Sequence, residues 1–330
     1  MPPRTVTVIG SLNIDFVTRT PRIPQGGETL TATSFTTGYG GKGANQAVAC
    51  ARLADPTHVK VCMVGNVGDD VFGKGYISLL EKEGIDTKGV GVVSCSATGT
   101  ANIIVEEESG ENRILLARGA NYPDTRDGLA GRKDLKREEK GIDSSNASPP
   151  DLISSETDMA IFQLEIPLET VLHNVTFASE RGVHVLFNPA PAVPLPKEVY
   201  RHVSTLVVNE TEATILAGPL HIDVAAEGLG KVASRFLEIG VKDAVIITLG
   251  EKGLIYATKD GENGQMEAEK VKVHDTTAAG DTFVGAYAVL RIGEKLSCRE
   301  ALQKATHASA LTVQRLGAMD AIPTRSEVGW

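Results

Sequence analysis

Residues 275–290 read DTTAAGDTFVGAYAVL. Two carboxylates, two hydroxyls and a run of small residues lead directly into an apolar helical pattern. Small residues let a ligand approach the backbone closely. The first turn of a helix offers free N–H groups at the positive end of the helix dipole. Asp281 stands at that point. An acid where an anion should bind suggests phosphate chemistry, with the carboxylate acting on the acceptor. The same residues also read as an ordinary helix with Asp281 as its N-cap, and the seven residues 275–281 alone leave both readings open.

Outward from this segment, strand-like and helical runs alternate. The strand-like runs lie at 6–10, 59–64, 159–163, 183–187, 205–208 and 244–248. Helical patterns cover 44–54, 71–83, 168–181, 210–217, 225–239, 281–292 and 298–314. This alternation predicts an α/β fold with a mainly parallel central sheet and helices on both faces. Residues 14–37 and 97–118 depart from it. They are rich in Thr, Val and Ile with alternating polarity, and Ser109-Gly110-Glu111-Asn112 supplies a turn. A small β appendage is expected there. Residues 124–156, with the mixed-charge run GRKDLKREEK and then SSNASPP, are expected to form a solvated, flexible insertion.

Composition narrows the function. The net charge of -9 argues against a nucleic-acid surface. Aromatic residues make up 5%, too few for base-stacking platforms. None of the four cysteines is spaced as CxxC, so neither a zinc knuckle nor a redox pair is expected. Free thiols point to a reducing compartment. MPPRTVTVIG enters a strand pattern at once and no apolar run is long enough to span a membrane. A cytoplasmic protein with no membrane or nucleic-acid partner is expected.

In an open α/β sheet, ligands bind beyond the carboxyl ends of the strands. Polar residues follow five of the expected strands: Asn13 and Asp15, Glu165, Asn188, Asn209 with Glu212, and Thr248 with Gly250. The segment GYGGKGANQAVA, 38–49, satisfies GxGxxG through Gly38, Gly40 and Gly43. It lacks the compact βαβ setting and the acid about 20 residues on that dinucleotide binding requires. Lys42 is followed by glycine, so it is no Walker A loop either. A glycine turn feeding a helix remains, with Lys42 and Asn45 at its mouth.

GSLNID, GGKGANQA, GDD at 68–70, QLE at 163–165, NPAP at 188–191, NETEA at 209–213, TLG at 248–250 and DTTAAGD occur in this order across nearly the whole chain. In these motifs the sequence resembles the ribokinase-like carbohydrate kinase family. The commoner family form of the last motif is DTTGAGD; Ala278 replaces that glycine. The resemblance implies one domain over 1–330 and ATP-dependent phosphorylation of D-ribose at its 5-hydroxyl. It implies sugar contacts at Asn13, Asp15, Gly41, Lys42, Gly43, Asn45 and Glu165. Asp281 matches the catalytic base, and Ala278, Ala279 and Gly280 match the hole that receives the transferring phosphoryl group. Asn209, Thr248, Gly250, Gly280 and His307 match nucleotide-binding positions. Asn209 and Glu212 are implied to act on magnesium through water. Asp275 and Thr277, with Thr312, Arg315, Gly317 and Ala321, match a potassium site; Ala321 stands where a hydroxyl residue is often found. The resemblance also implies a β lid from about 14–37 and 97–118, and a homodimer joined through it. Other acceptors in the same family, such as deoxyribose, fructose or a nucleoside, and a non-catalytic sugar-binding protein are the alternatives.

Overall fold

The computed structural model describes residues 2–109, 111–123 and 149–330. In chain order the strands are β1 (Arg4–Ile9), β2 (Asn13–Thr20), β3 (Ser34–Gly40), β4 (Val59–Gly68), β5 (Asp86–Val93), β6 (Gly99–Glu106), β7 (Asn112–Ala117), β8 (Thr157–Phe162), β9 (His184–Phe187), β10 (Thr205–Asn209), β11 (Ala244–Thr248), β12 (Leu254–Thr258) and β13 (Asn263–Met266). The helices are α1 (Lys42–Leu53), α2 (Val71–Lys82), α3 (Leu168–Glu180), α4 (Glu210–Ala217), α5 (Val224–Glu227), α6 (Leu229–Ile239), α7 (Ala279–Ile292) and α8 (Cys298–Thr312).

Among the described residues, the main sheet has the order β13-β12-β11-β10-β9-β8-β1-β4-β5. Every pair from β11 to β5 is parallel, and β12 and β13 add an antiparallel edge. The mainly parallel α/β sheet expected from the alternation is therefore present. Successive side chains leave a strand on opposite faces. Val6, Val8, Ile161 and Ile246 join the core under α1, α7 and α8. Ile9, Phe162, Val208 and Ile247 join the second core, under α3, α4 and α6. The chain leaves β1 toward β4 and β5, then returns on the other side as β8. This reversal is a topological switch point, where a crevice opens beyond the strand ends.

The stretches 14–37 and 97–118 hold the strands of a second sheet, with order β3-β2-β6-β7. Phe16 of β2 packs against Phe35 of β3 and Phe72 of α2. The pairing of β2 with β6 is parallel, so the two stretches are joined by a non-local contact and not by a hairpin.

Three expectations need correction. The helix over 225–239 is broken at Gly228, whose positive φ of 77° separates α5 from α6. Strands β5, β12 and β13 are not among the expected runs: β5 and β13 are half-exposed edge strands, whereas the short run LIYAT of β12 is apolar and mostly buried. Of the insertion expected at 124–156, residues 124–148 lie outside the described residues. Residues 149–156 pack onto α3: the Leu152 N–H donates to Asn174 Oδ1 at 2.7 Å, Asn174 Nδ2 donates to the Pro150 carbonyl, and Ile153 is buried.

Candidate active site

The sheet order sets the strand-end residues in a row. Thr248 ends β11 and pairs in register with Asn209 at the end of β10. Asn188 follows β9, Gln163 and Glu165 follow β8, and Ser11 and Asn13 follow β1. Four strand spacings separate β11 from β1, roughly 19 Å, which suits a nucleotide and a small acceptor laid end to end.

At the switch point, α1 begins directly against the end of β1. A methyl group on Gly43 would stand 2.6 Å from both the Gly10 carbonyl carbon and the Ser11 nitrogen, so only glycine permits this approach. The first N–H groups of α1 find partners across the crevice. The Lys42 N–H donates to Glu165 Oε2 at 3.0 Å, and the Ala44 N–H donates to the Ser11 carbonyl at 3.0 Å. A carboxylate at a helix N-terminus also meets the favourable end of the dipole. Ser11 Oγ donates to the same Glu165 oxygen at 2.6 Å, and Asn13 Nδ2 lies 3.5 Å from it. Asn121, just past β7, donates to Asn13 Oδ1 at 2.7 Å and holds both backbone groups of Leu12. Glu165 thus binds β1 to α1 as well as facing the crevice.

Helix α7 starts at Ala279, so Asp281 is its third residue and Ala278 its N-cap. The N-cap reading of Asp281 is thereby overturned: no side chain caps this helix start. The Asp281 carboxylate turns to α1 instead. Asn45 Nδ2 donates to Oδ2 at 3.1 Å, and Gln46 Nε2 donates to Oδ1 at 2.9 Å. The two helices cross closely. A methyl group on Gly285 would stand 2.5 Å from Ala49 Cβ. Ala278 itself sits at φ 61°, the left-handed region that costs a non-glycine residue about 1 kcal/mol or more.

Asp15 on β2 and Lys42 complete the charges. Burial raises the Asp15 carboxyl to about 7, and repulsion from Glu165 and Asp281 adds to it. Burial opposes the charge on Lys42, but attraction from Asp281, Glu165 and Glu212 outweighs it, and the ammonium is held above its ordinary range. An unfolded Asp titrates near 4. Between about 4 and about 7 the folded chain holds a proton on Asp15 that the unfolded chain has lost. Folding stability therefore falls as pH rises through this window, by on the order of 4 kcal/mol. Asp15→Asn is expected to remove that slope. The melting temperature of the variant, relative to the wild type, should climb from about pH 5 to about pH 8. A difference that stays constant with pH would argue against the shift.

At the other end of the row, Asn209 caps α4. Its Oδ1 accepts from the Glu212 N–H, and its own N–H donates to Glu212 Oε2, each at 2.8 Å. Burial raises the Glu212 carboxyl. Thr248 Oγ1 donates to the Val208 carbonyl at 3.4 Å. Gly250 follows with φ 59° in the turn after β11. His307 on α8 takes a different neighbour. Its ring Nδ1 lies 2.8 Å from Glu269 Oε1, at an open cavity of about 390 Å³ that also includes Lys304 and Trp330. Among the described residues no hydrogen bond joins it to Asn209 or Thr248.

The model of the pfkB family carbohydrate kinases matches residues 3–325. The chain belongs to this family. Among its relatives, the ribokinase of Schizosaccharomyces pombe is 44% identical, over 98% of this chain and 96% of the relative. The deoxyribokinase of Salmonella typhi is 37% identical over 97% and 95%. The structure of Arabidopsis thaliana ribokinase complexed with ribose and ATP superimposes with a TM-score of 0.80 at 29% identity, covering 99% of this chain and 98% of that one.

In this pfkB kinase the side chains of the residues expected at a potassium site take the following partners. Asp275 Oδ1 accepts from the Thr277 N–H and hydroxyl at 2.9 and 2.6 Å, and Oδ2 accepts from the Gly317 N–H at 3.0 Å. The Thr312 hydroxyl turns inward to Thr282 at 3.0 Å, and the Arg315 guanidinium pairs with Glu327 at 2.7 Å. Ala321 is fully buried. Sequence reading singled out Asn188 as a strand-end residue but passed over Ser11, Gln46, Asn121 and Gln163. Three of these four lie inside motifs already singled out. Asn121 lies in none, and its part follows only from the return of the chain past β7.

Proposed function

We propose that this chain transfers the γ-phosphoryl group of ATP to the 5-hydroxyl of D-ribose, giving D-ribose 5-phosphate and ADP. The observation that carries the reading is the seat of Asp281. Its buried carboxylate stands at the start of α7 and is joined to α1 on the sugar side. The relatives named ribokinase support the acceptor and the donor. The acceptor would lie among Asn13, Asp15, Gly41, Lys42, Gly43, Asn45 and Glu165. Asn45 Oδ1 is buried without a hydrogen-bond partner, which suits a sugar hydroxyl as donor, since such a group costs about 1–3 kcal/mol to leave unpaired. ATP would lie over Asn209, Thr248 and Gly250, with His307 at its outer flank.

The proposed reaction needs alignment and charge stabilisation more than covalent help. Asp281 takes the proton of the 5-hydroxyl as the oxygen bonds to the γ-phosphorus and the bond to the β-phosphate oxygen breaks. A carboxylate is a weak base, so the proton moves late. The N–H groups of Gly280 and Asp281 in the first turn of α7 would face the charge that develops on the phosphoryl oxygens, while the Ala279 N–H donates to the Thr276 carbonyl at 3.3 Å. Lys42 adds a cation from the sugar side.

Magnesium bound with ATP neutralises phosphate charge. Asn209 and Glu212 fit a role through water: the capping box uses one Glu212 oxygen and leaves the other with no hydrogen bond among the described residues. Asp275 and Thr277 offer an oxygen donor set for potassium, which would order the loop that leads into α7. Thr312, Arg315, Gly317 and Ala321 would contribute to that site through carbonyl oxygens.

A homodimer through the smaller sheet also fits. Asp15 is in register with Ala101 of β6 and, beyond it, Leu116 of β7. Ile114 and Leu116 therefore share the face of Asp15, yet they are 52% and 50% exposed. A lid that carries apolar residues beside its sugar-binding acid could be covered by the same sheet of a second copy. Free thiols and use of ATP suit the cytoplasm.

The test is a panel of ribose, deoxyribose, fructose and adenosine with magnesium and ATP, each in potassium and in sodium at matched ionic strength. Ribose is expected to give the highest kcat/KM, and potassium a several-fold higher rate than sodium. A faster reaction with another acceptor would replace ribose, and equal rates in the two salts would remove the potassium site.

A further inference from the structure

Behind Asp281 lies a chain of buried side-chain amides that touches neither end of the substrate row. Gln46 Nε2 donates to Asp281 Oδ1 at 2.9 Å and to Asn188 Oδ1 at 3.0 Å. Asn188 Nδ2 donates to the Val207 carbonyl at 2.9 Å. Gln163 Nε2 donates to Gln46 Oε1 at 2.6 Å. Gln46 and Gln163 are fully buried and Asn188 is 9% exposed. They come from α1 and from the ends of β8 and β9.

The direction of every bond is forced. The Val207 carbonyl can only accept, so Asn188 must turn its NH₂ toward it and its oxygen toward Gln46. The Asp281 carboxylate also accepts. Gln46 therefore faces two acceptors with its NH₂, and its oxygen is left for Gln163. Gln163 then gives its NH₂ to Gln46, and its own oxygen lies against Gly10 without a partner. An unpartnered buried oxygen is costly. It persists because turning Gln163 over would set two oxygens against each other.

We propose that Gln163, Gln46 and Asn188 are positioning residues that hold the Asp281 carboxylate in its reactive orientation, with Gln163 setting the direction of the relay. This rests on the reading of Asp281 as the proton acceptor. One lone pair on each Asp281 oxygen is taken by an amide N–H, from Asn45 or Gln46. What remains points into the crevice, where Asp15, Glu165, Lys42 and Glu212 are the other charged groups that face it.

Gln163→Glu tests the relay without touching Asp281. At neutral pH the introduced carboxylate can only accept. It would draw the Gln46 NH₂ to itself and turn the Gln46 oxygen onto Asp281. When protonated, the introduced carboxyl can donate again, as glutamine does. The full-length variant is expected to lose roughly 10- to 100-fold in kcat at pH 8, with the KM for ribose within about threefold of wild type. The ratio of its kcat to that of wild type should recover as pH falls, because burial favours the protonated carboxyl. Gln163→Met, which removes the donor but does not reverse the relay, should lose less and show no recovery at low pH. A kcat ratio that is flat with pH, or equal losses in both variants, would overturn the relay. A wild type that phosphorylates no sugar would instead overturn the reading of Asp281 on which it rests.

Discussion

Asp281→Asn is expected to lower kcat by about 1000-fold or more while ribose still binds. Positioned acid–base groups contribute about 10²- to 10⁴-fold, and the amide that replaces this one has no basic lone pair for the hydroxyl proton. The side chains have nearly the same shape, so α7 should start as before. One amide hydrogen bond would be lost, because the new NH₂ accepts from neither Asn45 nor Gln46 and faces one of these donors. Part of that loss is offset, since one of the two carboxylates that repel Asp15 disappears. Steady-state turnover by coupled ADP release and calorimetric titration with ribose separate chemistry from binding. Turnover near that of wild type would remove Asp281 as the base. Loss of ribose binding alongside turnover would make it a sugar ligand first.

Lys42→Met is expected to lower kcat by roughly 100- to 1000-fold, the range found when one preorganised donor is removed from a site of developing charge. The ammonium is half-buried and is attracted by Asp281 and Glu165 at the proposed sugar end and by Glu212 at the proposed nucleotide end. It lies where an anionic group passing between the two ends would need a positive charge. Methionine keeps the apolar stem and removes the charge. The variant should also be less stable, because Asp281, Glu165 and Glu212 lose their shared counter-charge. A thermal melt with and without ATP measures that part. Lowered stability with kcat unchanged would reduce Lys42 to a counter-ion for the carboxylates.

The two ends of the site were unequally legible. Asn13, Asp15, Asn45, Glu165 and Asp281 stand in short motifs, and the structure gathers them at one switch point. His307 also stood at an expected position, but its ring faces Glu269. Thr312 likewise presents its hydroxyl to Thr282 and not to Asp275. A motif names a position on a helix. Which groups the side chain meets depends on what packs against that helix, and a motif contains no statement about that. Residues 149–156 behave similarly: they are expected to be solvated, yet Ile153 is buried in the second core, next to Leu152, whose N–H donates to Asn174 of α3.

The sequence by itself determined the α/β class, the parallel sheet and the row of strand-end residues, because alternation and side-chain period are local properties of the chain. Its local pattern left DTTAAGD divided between a plain helix cap and a catalytic junction. Only the tertiary structure removed the cap reading, since Ala278 and not Asp281 is the N-cap of α7. The Asp281 carboxylate meets Asn45 and Gln46, which lie 236 and 235 positions earlier in the chain. That meeting depends on β1 standing beside β8 and on the close crossing of α1 and α7 at Gly285, contacts between distant segments that no local pattern can encode.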